Sequence, residues 1–199
     1  MEIGGLTIDI IVCLCLNERI ERYNYVKNHL IENGINCKFM FNKLHENPRR
    51  GCLESHIKAI KYAKENNFNN ILIFEDDIKI IEKLENISKL PKNWDMIYLG
   101  GLCTNYKYNY DENWVRGVIW CNHAYIVNKN LFDTIIDKGW SYTDGTSDHF
   151  FTSIIHNDYN CYIPSKQYII QKEGLSDLCK KHKWNEFKWP NPGTSFNIP

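Results

Sequence analysis

The stretch that decides the fold runs from Ile71 to Asp77 and reads Ile-Leu-Ile-Phe-Glu-Asp-Asp. Its four apolar residues form a short, uninterrupted run, which predicts a strand that is buried on both faces. The three acids then lie at the carboxyl end of this strand, where open α/β sheets bind their ligands. The sequence therefore predicts an α/β sheet with a polar site at the end of one central strand.

The three acids, Glu75, Asp76 and Asp77, indicate what that site binds. Carboxylates at one point repel one another unless a cation neutralises them. Mg²⁺ and Mn²⁺ prefer oxygen ligands, and they bridge carboxylates to phosphates. We interpret the cluster as a metal–diphosphate site. The alternative is an acidic strand end that only caps a following helix.

Length and charge narrow the class of protein. A chain of 199 residues fits one domain over 1–199, with an irregular tail expected after about residue 184. Lys and Arg together total 24, as do Asp and Glu, so the formal net charge is zero. A neutral chain lacks the basic surface that nucleic acids and anionic membranes attract. We therefore expect small-molecule and glycan partners and no nucleic acid; the oligomeric state is not predicted.

The eight cysteines are scattered and form no C-x-x-C pair, so the sequence predicts neither a zinc site nor a thioredoxin-like motif. Several lie in apolar runs, which predicts free thiols in a reducing compartment, with a secreted disulfide framework as the alternative. The N-terminus has no basic leader, and Asp9 interrupts its apolar stretch. No apolar run approaches the roughly 20 residues that span a membrane. We expect a cytoplasmic protein without signal peptide or membrane anchor.

Strands alternate with helices along the chain. Besides the acid-tipped strand, the predicted strands are Ile8 to Leu16, Asn36 to Phe41, Met96 to Leu99, Val115 to Trp120, Ala124 to Val127, Cys161 to Ile163 and Tyr168 to Ile170, and the last two are expected to close the sheet. The predicted helices are Glu18 to Asn33, Gly51 to Asn66, Glu82 to Leu90, Lys129 to Lys138 and Ser147 to Ile155, the last with Ser147 as its N-cap, and Tyr106 to Asn113 is predicted to be a loop. This order predicts a single α/β domain with a mostly parallel central sheet.

Three segments carry a resemblance to a known enzyme family: Gly51 to His56, Phe74 to Asp77 and Trp94 to Gly100. They are similar to segments of glycosyltransferase family 25, which includes lipooligosaccharide and procollagen galactosyltransferases. Further segments that resemble the family, in the same order, are Leu16 to Arg19 with Arg22, Ala124 to Val127, Ser147 to Phe150 and Gly174 to Asp177. The resemblance covers roughly Ile8 to Cys179, which is most of the chain.

The resemblance implies a GT-A-type Rossmann-like fold and an inverting transfer from a UDP-sugar to a hydroxyl of a glycan or hydroxylated protein, with Mn²⁺ or Mg²⁺. Asp77 is then expected to hold the metal, and Asp177 to be a distal metal or diphosphate contact. The residues expected to hold the nucleotide are Asn17, Arg22, Glu75, Asp76 and Ser176. For Arg22, whose guanidinium suits a phosphate, the alternative is a surface ion pair with Glu18.

Inversion needs a base that takes the proton of the acceptor hydroxyl. Asp148 matches the family's acid in the acceptor half, with a helix-capping acid as the alternative, and Asp144 is the reserve. We predict that His56 is a buried, hydrogen-bonded structural histidine, whereas His123 and His149 are expected near the sugar site.

The chain departs from the family at two points. Asn122 and His123 stand where relatives usually carry small residues, and His149 follows Asp148 where relatives often have an acid. The sugar and the acceptor are therefore not assigned. Two other classes stay open: a non-catalytic glycan-binding or partner domain, and another metal-dependent nucleotide-sugar enzyme such as a nucleotidyltransferase. The latter normally has a glycine-rich phosphate loop after the first strand, and residues 17–19 offer none.

Overall fold

The structure is a computed structural model of the chain, and it describes residues 1–172, 174–175 and 183–184. Two predicted site residues, Ser176 and Asp177, lie outside the described residues, as does the predicted irregular tail after about residue 184. No helix in the described part of the chain is long and apolar enough to cross a membrane.

The described strands are short, with none longer than β8. In chain order they are β1 (Glu2–Ile3), β2 (Leu6–Thr7), β3 (Ile10–Leu16), β4 (Lys38–Asn42), β5 (Asn70–Glu75), β6 (Ile78–Ile80), β7 (Met96–Tyr98), β8 (Leu102–Asn109), β9 (Trp114–Trp120), β10 (Ala124–Asn128), β11 (Cys161–Pro164), β12 (Ile169–Gln171), β13 (Gly174–Leu175) and β14 (Lys183–Trp184). The α-helices are α1 (Ile20–Glu32), α2 (Pro48–Glu65), α3 (Phe132–Ser141) and α4 (Ser147–Phe150). Short 3₁₀ turns cover Leu84–Asn86 and Lys129–Leu131, and a π-helical turn covers Phe151–Ile155.

The central sheet has the strand order β4-β3-β5-β10-β7-β11-β9-β8 among the residues that the structure describes. The pairs β3–β4, β3–β5 and β7–β11 are parallel, and the other neighbours are antiparallel. Six of the eight strands consequently point the same way, and only β9 and β10 run against them. The predicted α/β class with a mostly parallel sheet is confirmed.

Strand β5 is buried on both faces, as its apolar run predicts. Ile71 and Ile73 belong to the hydrophobic core that includes residues of α2 and α3, whereas Leu72 and Phe74 belong to the core that includes residues of α1. Successive side chains of a strand point to opposite faces, so a strand between two helical layers must be apolar at every position. Glu75, the last residue of this buried strand, therefore lies at the end of the sheet where the cleft opens.

Helix α2 begins earlier than predicted because its start signal lies upstream of the apolar pattern. The side chain of Asn47 accepts hydrogen bonds from the backbone N–H groups of Arg49 and Arg50, and Pro48 occupies the first turn. An asparagine cap followed by proline is a favourable helix start, since it satisfies free N–H groups and fixes one backbone angle. The predicted apolar face of this helix is buried, as Leu53 and Ile57 show.

Four local predictions are wrong. The segment 82–90 contains only the 3₁₀ turn Leu84–Asn86, and most of 106–113 belongs to β8, which pairs with β9. Strand β8 is the sheet's outer strand, so its polar, exposed sequence is stabilised by pairing and not by burial. Strand β12 does not close the main sheet but pairs with β6. The helix from residue 147 is capped by Thr146, not Ser147, and changes to a π-helical turn after Phe150.

A substitution at Gly100 would test the position of β12. A Cβ atom at this position would overlap the backbone carbonyl oxygen of Ile169, which cannot move without displacing β12. We expect Gly100→Ala to lower the free energy of unfolding by at least ~3 kcal/mol, measured by urea denaturation. Gly34→Ala is the matched control: Gly34 has a φ of +69° and open space around its Cβ position. That change should cost only about 1 kcal/mol, from the backbone conformation. Equal losses in both variants would contradict the close approach of β12.

Candidate active site

A cleft opens at the carboxyl ends of β3 and β5, as the position of the acids predicts. Its empty volume is about 850 Å³, part of which is open to solvent. Besides the strand ends, its walls are the first half of α2 and the loop after β4. The polar or charged side chains along these walls are Arg22, Asn42, Lys43, His45, Ser55, His56, Glu75, Asp76, Asp77 and Gln171.

Arg22, in the first turn of α1, bridges two of the three acids. One terminal nitrogen lies 3.0 Å from Asp76 Oδ1, and the other donates to Asp77 Oδ2 at 2.6 Å. The guanidinium therefore turns toward the acid cluster, and the surface pair with Glu18 is not among the described ion pairs. A planar guanidinium with two parallel donors suits this task because it holds two anions at a fixed separation.

Glu75 pairs with the buried His56 of α2. His56 Nε2 lies 3.1 Å from Glu75 Oε1, and Nδ1 lies 2.6 Å from the hydroxyl of Tyr125. Burial alone would lower the pKa of His56, but hydrogen bonds to Cys52 and Glu75 outweigh it and raise the pKa to about 10. The prediction that His56 is buried and hydrogen-bonded is confirmed, and the imidazolium is the second cation of the cluster.

Asp77 is the acid whose charge is least well compensated. Burial raises its pKa to about 7; Arg22 opposes this shift, while the charges of Glu75 and Asp76 add to it. Its Oδ1 atom is buried and accepts no hydrogen bond from the described residues. Among the described residues, two cationic side chains, Arg22 and His56, are paired with these three carboxylates. This balance leaves one negative charge when Asp77 is ionised, which is an environment that favours a further cation.

Asp148 lies beside the cleft and is not one of its lining residues. Its Oδ1 accepts hydrogen bonds from the backbone N–H groups of Cys121, at 2.9 Å, and Asn122, at 3.1 Å. These bonds hold the turn between β9 and β10, where Cys121 has a φ of +72°. The residue before Asp148 contacts the cleft wall, since Ser147 Oγ lies 3.3 Å from Cys52 Sγ. Burial and the charge of Glu75 raise the pKa of Asp148 to about 6.

The other predicted residues are spread around this centre. Asn17 is exposed after β3, where its backbone N–H donates to Asn42, whose side chain lines the cleft. Asp144 is exposed and accepts a hydrogen bond from Thr143 at 3.2 Å. His123 is fully buried, with Nε2 3.2 Å from the carbonyl oxygen of Ile169, whereas His149 is exposed.

Sequence reasoning missed two members of the site. Cys52 lies one helical turn before His56 and lines the same cleft. Tyr125 reaches His56 from β10, the strand that pairs with β5. The spacing of Cys52 and His56 on a predicted helix was a usable signal, because residues four apart share a face. No local signal pointed to Tyr125, which lies 69 residues from His56.

The His56–Glu75 pair has a pH signature. The raised pKa of His56 adds stability that is fully present below about pH 6.5 and is lost as the pH rises toward 10. Over this range the free energy of unfolding of the unmodified protein should fall. In His56→Gln we expect that fall to be at least ~1 kcal/mol smaller, as measured by urea denaturation at each pH. His149→Gln, an exposed control, should keep the original pH dependence. Parallel pH profiles for His56→Gln and the unmodified protein would show that His56 is not charged.

The sequence profile of glycosyltransferase family 25 (LPS biosynthesis protein) matches residues 24–187. Comparison with curated proteins gives no match. One similar solved structure is a glycosyltransferase involved in the glycosylation of the major capsid of PBCV-1, with a TM-score of 0.53 and 11% identity over 77% of this chain and 80% of that chain. Another is A197 from STIV, with a TM-score of 0.52 and 11% identity over 94% of this chain and 100% of that chain.

At 11% identity these two structures show the fold alone, which is the GT-A-like fold of glycosyltransferases. The family profile adds the sequence relationship, and it extends over most of the chain, including α2, the acid cluster and α4. The chain therefore belongs to glycosyltransferase family 25 and is a glycosyltransferase.

Proposed function

We propose that the chain, acting as one domain over residues 1–199, is an inverting transferase that moves a sugar from a UDP-sugar to a hydroxyl of a glycan or glycoprotein, with a divalent cation at Asp77. The observation that carries this proposal is the charge balance at the end of β5. Among the residues that the structure describes, three carboxylates are paired there with two cationic side chains, Arg22 and His56, inside a cleft at the ligand-binding edge of the sheet. A divalent cation would compensate the excess carboxylate and part of the charge of a bound diphosphate.

The residues present fit a hard divalent cation. Asp77 offers a buried carboxylate oxygen that accepts no hydrogen bond from the described residues, and its raised pKa shows that a positive charge would stabilise the ionised form. Mn²⁺ and Mg²⁺ prefer oxygen ligands of this kind. We propose Asp77 as one ligand and Asp177 as a second. When bound, the metal supplies Lewis-acid stabilisation for the charge that develops on the departing diphosphate.

The remaining cleft residues are proposed to hold the nucleotide. Arg22 already presents its two terminal nitrogens to oxygen anions, the arrangement that also suits a phosphate. Glu75 and Asp76 line the same cleft, and we propose that they orient the ribose and the water around the metal. Asn17, next to the cleft-lining loop, and Ser176 complete the proposed nucleotide contacts.

Asp148 is the proposed base. One of its carboxylate oxygens is held by two backbone N–H groups, and the described residues donate no hydrogen bond to the other. Its pKa of about 6 makes it mostly ionised at neutral pH and still basic enough to accept a proton from a hydroxyl in the transition state. The helix that carries it contacts the wall of the cleft, and we propose that the acceptor binds on this side.

The metal and the nucleotide should bind together. Calorimetry with UDP is expected to show binding that requires Mn²⁺ or Mg²⁺, because an uncompensated carboxylate repels a diphosphate. Asp77→Asn preserves the shape of the side chain and removes its charge, so it should lose the metal dependence and bind UDP at least ~10-fold more weakly while staying folded. Asp137→Asn, which changes an exposed acid on α3, is the control and should bind UDP normally.

The proposal fails if UDP binds with equal affinity in chelator and in metal. It also fails if Asp77→Asn keeps full metal dependence, because the cation would then sit elsewhere.

The base is tested by Asp148→Asn. Both backbone bonds of Asp148 go to the same oxygen, so the amide oxygen of asparagine can accept both and the turn at residues 121–122 is preserved. Asparagine cannot take a proton. We expect sugar transfer to fall at least ~10²-fold while metal-dependent UDP binding and thermal stability stay near those of the unmodified protein. Transfer by the unmodified protein should rise with pH through about 6, as Asp148 loses its proton. A variant that keeps most of its transfer rate would exclude Asp148 and make Asp144 the next residue to test.

A further inference from the structure

A second set of metal-binding atoms meets on the floor of the cleft. Cys52, His56 and Glu75 each place one ligand atom within 4.8 Å of the other two. Cys52 and His56 are one turn apart on α2, and Glu75 is the last residue of β5. All three line the cleft, so an ion can reach them from solvent. A thiolate, an imidazole and a carboxylate are ligands that suit zinc, whereas Mn²⁺ and Mg²⁺ favour sites made of oxygen alone.

The spacing of these atoms fits a tetrahedral ion. His56 Nε2 and Glu75 Oε1 are 3.1 Å apart. A zinc ion with bonds of about 2.0–2.3 Å holds its ligand atoms roughly 3.3–3.8 Å apart. An ion between these two atoms therefore needs only a small separation of the pair and a modest approach of the Cys52 thiol. Binding of the ion releases the protons of the Cys52 thiol and the His56 imidazolium to solvent. The bound forms, a thiolate, a neutral imidazole and a carboxylate, then carry two negative charges, which match the charge of Zn²⁺.

The surroundings also supply the support that a zinc-bound histidine needs. Metal-bound histidines almost always hydrogen-bond through the other ring nitrogen, which fixes the orientation of the ring. His56 Nδ1 lies 2.6 Å from the hydroxyl of Tyr125, and Tyr125 is fully buried on the strand beside β5. Nε2 is therefore held toward Glu75. On the other side, Cys52 is positioned by its 3.3 Å contact with Ser147.

We propose that Cys52, His56 and Glu75 form a zinc site whose fourth position opens into the cleft. This site is distinct from the oxygen site at Asp77, because its ligands come from α2 as well as β5 and include sulfur. The sequence predicts no zinc site because its cysteines form no C-x-x-C pair, whereas the ligands proposed here are brought together by the packing of α2 on the sheet.

Occupancy of this site has a consequence that rests on the proposed function. An ion held by Glu75 removes that carboxylate from the nucleotide and fills space at the floor of the cleft. Zn²⁺ should therefore weaken binding of UDP in the presence of Mn²⁺. The enzyme would then respond to Zn²⁺ through a site that shares Glu75 with the nucleotide.

The first test is direct binding of the metal. Chelator-treated, reduced protein is titrated with Zn²⁺ by calorimetry and with Co²⁺ by absorption spectroscopy, because a cobalt–thiolate bond gives a charge-transfer band that oxygen and nitrogen ligands do not. We expect one equivalent to bind and the band to appear. Absence of Zn²⁺ binding, or of the band, overturns the proposal.

Variants then identify which residues bind the metal. Cys52→Ser should weaken Zn²⁺ binding at least ~10²-fold and abolish the cobalt band. Cys103→Ser, a change of a half-buried thiol on β8, is the matched control and should keep both. Asp77→Asn should also keep both, which separates this site from the proposed Mn²⁺ site. A cobalt band that persists in Cys52→Ser would assign the thiolate to another cysteine and overturn the proposal.

The last arm measures UDP binding in Mn²⁺ with and without Zn²⁺. We expect Zn²⁺ to weaken UDP at least ~10-fold in the unmodified protein and to have little effect in Cys52→Ser. If UDP does not bind under any condition, the proposed function fails while the zinc results stand on their own. If UDP binds equally with and without Zn²⁺, the competition is wrong.

Discussion

The rest of the site depends on the repulsion among three carboxylates at the end of one buried strand. Glu75, Asp76 and Asp77 are adjacent in the chain, so the backbone forces their charges together. Arg22 compensates two of them, and His56 compensates the third. In the part of the chain that the structure describes, these two cations do not balance three anions, and the deficit falls on Asp77, whose pKa rises to about 7. Perturbed pKa values of this kind are concentrated at functional sites, and we propose that a further positive charge binds here.

The fold makes this arrangement stable by burying everything behind it. Strand β5 lies between two hydrophobic cores, with Ile73 on one side and Phe74 on the other, and the acids follow directly at the sheet's edge. Helix α1 supplies Arg22 in its first turn, and helix α2 supplies His56 from its buried face. Each compensating cation thus comes from a helix that packs on the sheet, so the charge balance exists only once both helices have docked.

Local sequence predicted those parts of the site that are continuous in the chain. The apolar run before Glu75 identified β5 and the position of the cleft, because a strand buried on both faces needs an apolar residue at every position. The sequence could not predict which groups the acids meet, since Arg22 lies 55 residues from Asp77 and Tyr125 lies 69 residues from His56. Strand β8 was missed for a related reason: its polar residues resemble a loop, and only pairing with β9 makes them a strand.

A crystal structure with Mn²⁺ and UDP, recorded with the anomalous signal of manganese, would test directly whether a metal and a diphosphate bind at Asp77. We predict a single strong anomalous peak about 2–2.5 Å from Asp77 Oδ1, with diphosphate oxygens completing the coordination of the manganese ion. An anomalous peak far from Asp77, or UDP bound in the cleft with no manganese beside it, would contradict the claim that the charge deficit at the end of β5 is a metal–diphosphate site.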